Sequence, residues 1–283
     1  MINFNGKLVT ETNLITLDNR GYKYGDAIFE TIKVVHGKIF FWEDHYFRLM
    51  ASMRIMRMEI PMSFTMEFLE AEIIKTINTN GLAKSAARVR LNVDRGDGGK
   101  YKPISKHCSY TIVAESMDQS FYELPNPKNY TVDLYKDYFV APGLLSTLKT
   151  NNKAINVLGS IYAEENDLEN CLLLNTNKNV VEALNANIFL VKGERIKTPP
   201  ITDGCIKGIM RKQIIEVIAN SGDYIVEETS ISPFELQKAD ELFLTNVIMG
   251  IQPILNYRKK AFATTMSANI LKRFNVKLRL DQL

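Results

Sequence analysis

The chain has 283 residues, 46% of them hydrophobic and 24% charged, and a net charge of +3. That balance is ordinary for a soluble globular protein, long enough for one large core or two smaller ones, and too weakly basic to argue for nucleic-acid binding. No run of about 18 or more apolar residues occurs, so no membrane span is expected.

The opening MINFNGKLVTETN lacks a charged stretch followed by an apolar one, so no secretory signal is expected. The first third reads as strand, hairpin, helix. AIFETIKVVHGKIFFW holds two β-rich runs separated by HGK, which predicts a hairpin. WEDHYFRLMASMRIMRM follows with Phe47, Met50, Met53 or Arg54, and Met58 near helical spacing. MEFLEAEIIKTINTNGL predicts a second amphipathic helix ending at Gly81. AARVRLNVDRGDGG is a strand with a Gly-rich exit, and SYTIVAESM is another. DQSFYELPNPKN, with two prolines among polar residues, marks a connection at 119–129 between a smaller N-terminal domain (1–118) and a larger C-terminal one (130–283).

Beyond it, TLKTNNKAINVLGSIYAEEN leads into a helix-like stretch. ENCLLLNTNKNVVEALNANIFLVKGERIKTP reads as three short strands joined by Asn/Lys and Gly turns. KGIMRKQIIEVIANSG is a helix capped by Gly222, and DELFLTNVIMGIQPI is a buried strand running into a turn. The balance is α+β, with hairpins rather than regular βαβ alternation. No Gly-x-Gly-x-x-Gly follows a strand and opens a helix, which argues against a dinucleotide fold. His36, His45 and His107 do not pair at metal-ligand spacing, so no zinc site is expected, and His45 reads as structural or solvated. Cys108, Cys171 and Cys205, odd in number and scattered, suit a reducing cytoplasm and no disulfide framework.

Four elements carry chemistry together although each alone has a plain explanation. Lys149 precedes a helix, the place of many solvated lysines, but Leu144, Leu145 and Leu148 lie beside it; a lysine used in catalysis needs burial or a neighbouring cation to lower its pKa. Glu182 interrupts an apolar run and either faces water by alternation or aims a buried carboxylate at a protonated partner. Arg48, three residues after His45, is either a surface residue or a fixed guanidinium for a phosphate. Gly204 and Gly208 flank the entry to a helix, whose first amides attract anions. A lysine, a carboxylate, an arginine and a helix-start anion cup are the parts that pyridoxal phosphate needs.

The sequence resembles the class IV, or fold-type IV, pyridoxal-phosphate enzymes, which include branched-chain aminotransferases, D-amino-acid aminotransferases and aminodeoxychorismate lyases. YGDAIFETIKV, HYFRL, KTNN, VVEALNANIFLV, GIMR and ADELFLTN…GIQPI occur in the family's order, with 33 residues from Lys149 to Glu182. The resemblance implies a two-domain α+β fold of the D-amino-acid aminotransferase type, with the cofactor between the domains, and at least a homodimer. It implies Lys149 as the Schiff-base lysine, Glu182 at the pyridine nitrogen and Arg48 at the phosphate. Backbone amides at Ile209 and Met210 would cup that phosphate, with a second phosphate-side turn at Asn246, Val247 and Ile248. Tyr24, Phe29 and Ile248 would line the substrate pocket, and Arg90 would meet the substrate carboxylate. Arg88 and Arg95 flank Arg90, and alternation puts Arg88 on its face, so the choice among the arginines stays open.

Three activities follow. The first is amino transfer between an amino acid, branched-chain above all, and a 2-oxo acid. The second is lysis of aminodeoxychorismate to pyruvate and p-aminobenzoate. Many members place threonine hydroxyls where Met210 and Val247 stand, whereas lyases often show Met-Arg and Asn-x-x-Met, as in GIMR and NVIM here. RGDGGKYKP lacks the Arg-x-His pair of the D-amino-acid enzymes. The third is binding without catalysis, which the full set of cofactor residues argues against. Of the two neighbouring lysines, Lys149 with Asn152 matches the family pattern, and Lys153 is expected to be an ordinary helix residue.

Overall fold

The computed structural model describes residues 1–125 and 129–280. Its contacts divide into two units: Met1–Ser120 with Leu148–Asn152, and Phe121–Thr147 with Lys153–Leu283. Of the expected connection, residues 126–128 lie outside the described residues.

The first unit runs through β1 (Ile2–Phe4), β2 (Lys7–Val9), α1 (Arg20–Tyr24), β3 (Ala27–Val35), β4 (Lys38–Ile39), α2 (Trp42–Ile55), α3 (Met66–Thr79), β5 (Ala86–Arg95) and β6 (Cys108–Met117). The strands form one sheet in the order β2-β1-β6-β5-β3-β4. Every pairing among them is antiparallel. Strand β5 explains how this sheet gets two unlike faces. Ala87, Val89, Leu91 and Val93 are wholly buried and join the core, whereas Arg88, Arg90 and Asn92 point to the other face. Burying one such Val or Leu contributes about 1.5–3 kcal/mol.

Helices α2 and α3 supply the other wall of that core. In α3, Leu69, Ile73 and Ile77 recur every fourth residue and are fully buried, and Thr65 caps the helix start by accepting from the Phe68 amide. The β3–β4 hairpin turns on His36 and Gly37, both at positive φ (49° and 75°), as a tight two-residue turn demands. The segment Leu148–Asn152 adds a short stretch of pairing to β3. The Phe29 amide donates to the Lys149 carbonyl, and the Asn151 amide donates to the Ala27 carbonyl, each at 2.9 Å.

The second unit contains β7 (Thr131–Val140), α4 (Ala154–Glu165), β8 (Asn170–Asn175), β9 (Val180–Ala183), β10 (Asn187–Lys192) and β11 (Arg195–Thr198). A 3₁₀ turn (Ile201–Asp203) then leads to α5 (Ile209–Ser221), β12 (Ile225–Glu228), α6 (Pro233–Leu236), β13 (Glu241–Asn246), β14 (Gly250–Ile254), β15 (Asn256–Tyr257), β16 (Lys260–Ala261) and α7 (Thr265–Leu280). Two five-stranded sheets result, β12-β11-β10-β13-β14 and β16-β15-β7-β8-β9. Leu134, Leu172 and Val180 of one share a single core with Ile188, Leu242 and Ile254 of the other. Helices α5 and α7 pack on the first of these sheets, and α4 covers β7 and β8.

Most expected elements stand where the periodicity put them. The run from 169 to 199, expected as three strands, holds four. The extra break comes from Asn170, whose side-chain oxygen accepts from the Leu184 amide and whose Nδ2 donates to Asn185. A side chain distant in sequence thus makes the turn between β9 and β10, and local patterning carries no sign of it. The turn expected after Asn246 closes a hairpin into β14.

Candidate active site

In the first unit, alternation along β3 sends Phe29 and Glu30 to opposite faces of the sheet. Glu30 faces α2, where His45 and Arg48, one turn apart, reach it together. Arg48 Nε donates to Glu30 Oε1 at 2.8 Å, its Nη2 donates to Oε2, and His45 Nδ1 lies 2.7 Å from Oε2. Burial pushes the Glu30 carboxyl up, but the Arg48 charge and the bonds from His45 and Arg48 outweigh it and hold it at about 2. His45 is fully buried. Burial lowers its pKa, and Arg48 and Lys149 add to that effect against the pull of Glu30. The imidazole is therefore the neutral donor to Glu30. Its Nε2 has no partner among the described residues. The structural expectation for His45 is met, and Arg48 is a guanidinium fixed by an internal carboxylate.

The other face carries Phe29. The Lys149 amine lies 4.6 Å from the centroid of its ring and the Arg90 guanidinium carbon 3.7 Å from it. Lys149 is held there through the pairing of its own backbone with β3, and it is partly buried. The three arginines of β5 now separate. Arg95 is buried against Asp26 (2.9 Å) and donates to the carbonyls of Met56 and Arg57. Arg88 pairs at the surface with Glu115 (2.9 Å). Arg90 has no carboxylate partner among the described residues; its Nη2 donates to Asn151 Oδ1 at 3.0 Å. It opens on a cavity of about 340 Å³ whose lining includes Asn92, Asp94, Thr111, Val113 and Asn151. Tyr22 lines this cavity, whereas Tyr24 is 40% exposed and packs against Tyr101 and Arg20.

In the second unit Glu182 is 7% exposed on β9 and accepts from the Ile206 amide at 2.9 Å, so the carboxylate turns inward rather than to water. Lys153 departs from expectation. It is the N-cap residue of α4, partly buried; burial lowers its pKa and Glu182 opposes that shift. The lysine sits before the helix, not on its solvent face. Gly208 is the N-cap of α5 and lends it no side-chain cap, so the first-turn amides, Ile209 and Met210 among them, keep the partial positive charge of a helix start. A Cβ at Gly208 would stand 1.9 Å from Asn187 Oδ1, so only glycine fits there. Asn246 spends its side chain on the turn, accepting from the Ile248 and Met249 amides and donating to the Asn185 carbonyl. Val247 is buried and its carbonyl accepts from the Tyr122 hydroxyl; Ile248 is partly exposed.

Sequence reasoning missed Glu30, Asn151 and Lys33. Lys33 is 1% exposed on β3, and burial brings its amine down to about 8. The signal for Glu30 and Lys33 lies in the sequence: both are charges inside the apolar run AIFETIKVV, and a charge buried in such a run needs a partner. Asn151 showed no such signal, because its role depends on a strand pairing distant in sequence.

The class IV aminotransferase family model matches residues 27–257. An aminodeoxychorismate lyase of Vibrio harveyi is 24% identical over 241 residues, 85% of this chain and 86% of that protein. A Methanocaldococcus jannaschii protein that bears the provisional name of branched-chain-amino-acid aminotransferase is 29% identical over 285 residues, 98% of this chain and 95% of its own length. The crystal structure of the Escherichia coli branched-chain amino acid aminotransferase superposes with a TM-score of 0.85 at 23% identity, covering 96% of this chain and 92% of that one. A solved relative this similar bears out the fold-type IV, α+β architecture, and the span of the family match settles membership. The chain belongs to the class IV aminotransferases, a family of pyridoxal-phosphate-dependent enzymes.

Proposed function

We propose that the protein transfers an amino group between an amino acid, branched-chain above all, and a 2-oxo acid, with pyridoxal phosphate as its cofactor. The chemistry of the donor set fits that cofactor. Lys149 offers an amine beside an aromatic face. The uncapped start of α5, at Ile209 and Met210, and the Arg48 guanidinium suit its phosphate. The inward Glu182 carboxylate suits a protonated ring nitrogen. When bound, the cofactor supplies an electron sink for negative charge at the substrate Cα.

The protein's own groups divide the remaining work. Lys149 carries the cofactor and moves the Cα proton. Glu182 keeps the proton on the ring nitrogen. The turn at Asn246, Val247 and Ile248 closes the phosphate side, and Asn246 gives the turn its shape rather than acting as a donor of its own. Arg90 takes the substrate carboxylate, while Phe29, Tyr24 and Ile248 favour an apolar side chain.

The observation that carries this reading is Arg90: a partly buried cation with no carboxylate partner among the described residues, opening on a cavity beside the Lys149 segment. A charge desolvated without a counter-ion is costly, and a substrate carboxylate would remove that cost. The test is incubation of the purified protein with L-leucine and 2-oxoglutarate. We expect L-glutamate and 4-methyl-2-oxopentanoate to appear, and a protein that leaves leucine and valine unconverted would overturn the assignment.

A second reading is supported by Met210 and Val247, buried apolar side chains that leave the phosphate to main-chain donors. On that reading the protein releases pyruvate from aminodeoxychorismate, and absence of pyruvate eliminates it. We further propose a cytoplasmic homodimer. Among the described residues all three cysteines are free, and sedimentation at working concentration measures the dimer.

A further inference from the structure

We propose that Asn151 is a positioning residue that sets how tightly the substrate carboxylate is held, acting through Arg90. The proposal rests on the reading of Arg90 given above. Asn151 lies two residues beyond Lys149 in the segment paired with β3, and its amide N–H is committed to the Ala27 carbonyl. Its side-chain oxygen accepts from Arg90 Nη2 at 3.0 Å. A second acceptor for that nitrogen, Asn92 Oδ1, is at 3.5 Å, the limit of a hydrogen bond. Phe29 supports the guanidinium with its ring 3.7 Å from the central carbon. One aromatic face and one amide oxygen thus fix the plane of Arg90 and leave its remaining N–H groups for a ligand.

The choice of an amide matters. A neutral acceptor orients the guanidinium without neutralising it, whereas a carboxylate at the same place would occupy the fork that a substrate carboxylate needs. The cavity is also polarised. Asp94 lines it four residues along the strand, about 13 Å from Arg90 by backbone rise. Its carboxyl is pushed up by burial and receives a bond from Asn19 (2.9 Å). The cation of this lining, Arg90, stands at the opposite end from that carboxyl. Because Asn151 and Lys149 share one short extended segment, the anchor for the carboxylate and the reactive amine keep a common register.

The experiment uses the cofactor-loaded protein and 4-methylvalerate, an unreactive branched carboxylate, with affinity measured by calorimetry. Asn151→Ala should weaken binding about 10- to 100-fold, the loss of one hydrogen bond to a charged group. Asn151→Asp should weaken it further, by placing a charge where the ligand's belongs. Both variants should keep the absorption of the bound cofactor and its trapping by borohydride, and turnover should lose affinity for substrate (a higher KM) more than it loses kcat. Binding within twofold of the wild type in both variants, with Arg90→Ala still losing it, would overturn the role of Asn151 and leave Arg90 standing. Failure of the wild type itself to bind 4-methylvalerate would overturn both.

Discussion

At the scale of single residues, two lysines four apart have different environments. Lys149 stands beside the Phe29 ring, and Lys153 occupies the N-cap of α4 within reach of the Glu182 field. Lys149→Ala should abolish borohydride-trapped attachment of pyridoxal phosphate, read by mass spectrometry, and lower turnover by at least about 10³-fold, within the range set by losing a covalent and proton-transfer group. Lys153→Ala should retain the attachment. Glu30 gives a second prediction. Its folded pKa of about 2 lies below that of an unfolded glutamate, so the stability it contributes is full above about pH 4.5 and is lost as pH falls toward 2. Glu30→Gln, which leaves Arg48 buried without its counter-ion, should cost about 3–5 kcal/mol at neutral pH. The gap to wild type, measured by denaturant titration, should close between about pH 4.5 and pH 2. Glu182 stood out because it interrupts an apolar run, whereas Lys149 and Arg48 were singled out through the resemblance of KTNN and HYFRL to the family. Asn151 was not, because an asparagine in a loop has many uses and only the pairing with β3 selects one.

At the scale of elements, legibility follows the range of the forces that shape each one. Strand β5 declares itself through alternation, and α3 through a stripe repeating every fourth residue, since both report burial on one face. The break between β9 and β10 depends on Asn170, and the closing of β13 onto β14 depends on an Asn246 side chain that bonds its own turn. Neither bond leaves a periodic trace. The start of α5 yields an element-level prediction. Gly208→Ala would drive a methyl into Asn187, whose Nδ2 donates to the carbonyl of Ile206, the residue whose amide meets Glu182. We expect a loss of about 1–3 kcal/mol in stability, the usual cost of forced overpacking. Weaker binding of pyridoxal phosphate to the apoprotein should accompany it, followed by fluorescence titration, and unchanged values for both would refute the close-packing account.

At the scale of the molecule, the chain does not divide at one point. It leaves the first unit after Ser120, returns for the five residues Leu148–Asn152, and leaves again. A composition shift near 119–129 could not announce that return, because the five residues resemble their neighbours and belong elsewhere through contacts distant in sequence, two backbone hydrogen bonds to β3 and the bond from Arg90 to Asn151 among them. A fragment comprising residues 1–120 would keep its core but expose the Ala27–Phe29 edge of β3, with one donor and one acceptor unpaired. We expect such a fragment to self-associate, as open strand edges do, and a synthetic peptide spanning residues 146–153 to suppress that association in light-scattering measurements.

The same pairing orders events during synthesis. Strand β3 is made early, and the segment that completes its edge emerges only after the first sheet and the connection have left the ribosome. A chain interrupted between residues 120 and 149 therefore carries all six strands of that sheet with the β3 edge open, and it lacks the lysine proposed to hold the vitamin B6 cofactor. On the proposed role of Lys149, colour would report on completion of the chain past that point, and colourless material in a preparation would include products that stopped short of it.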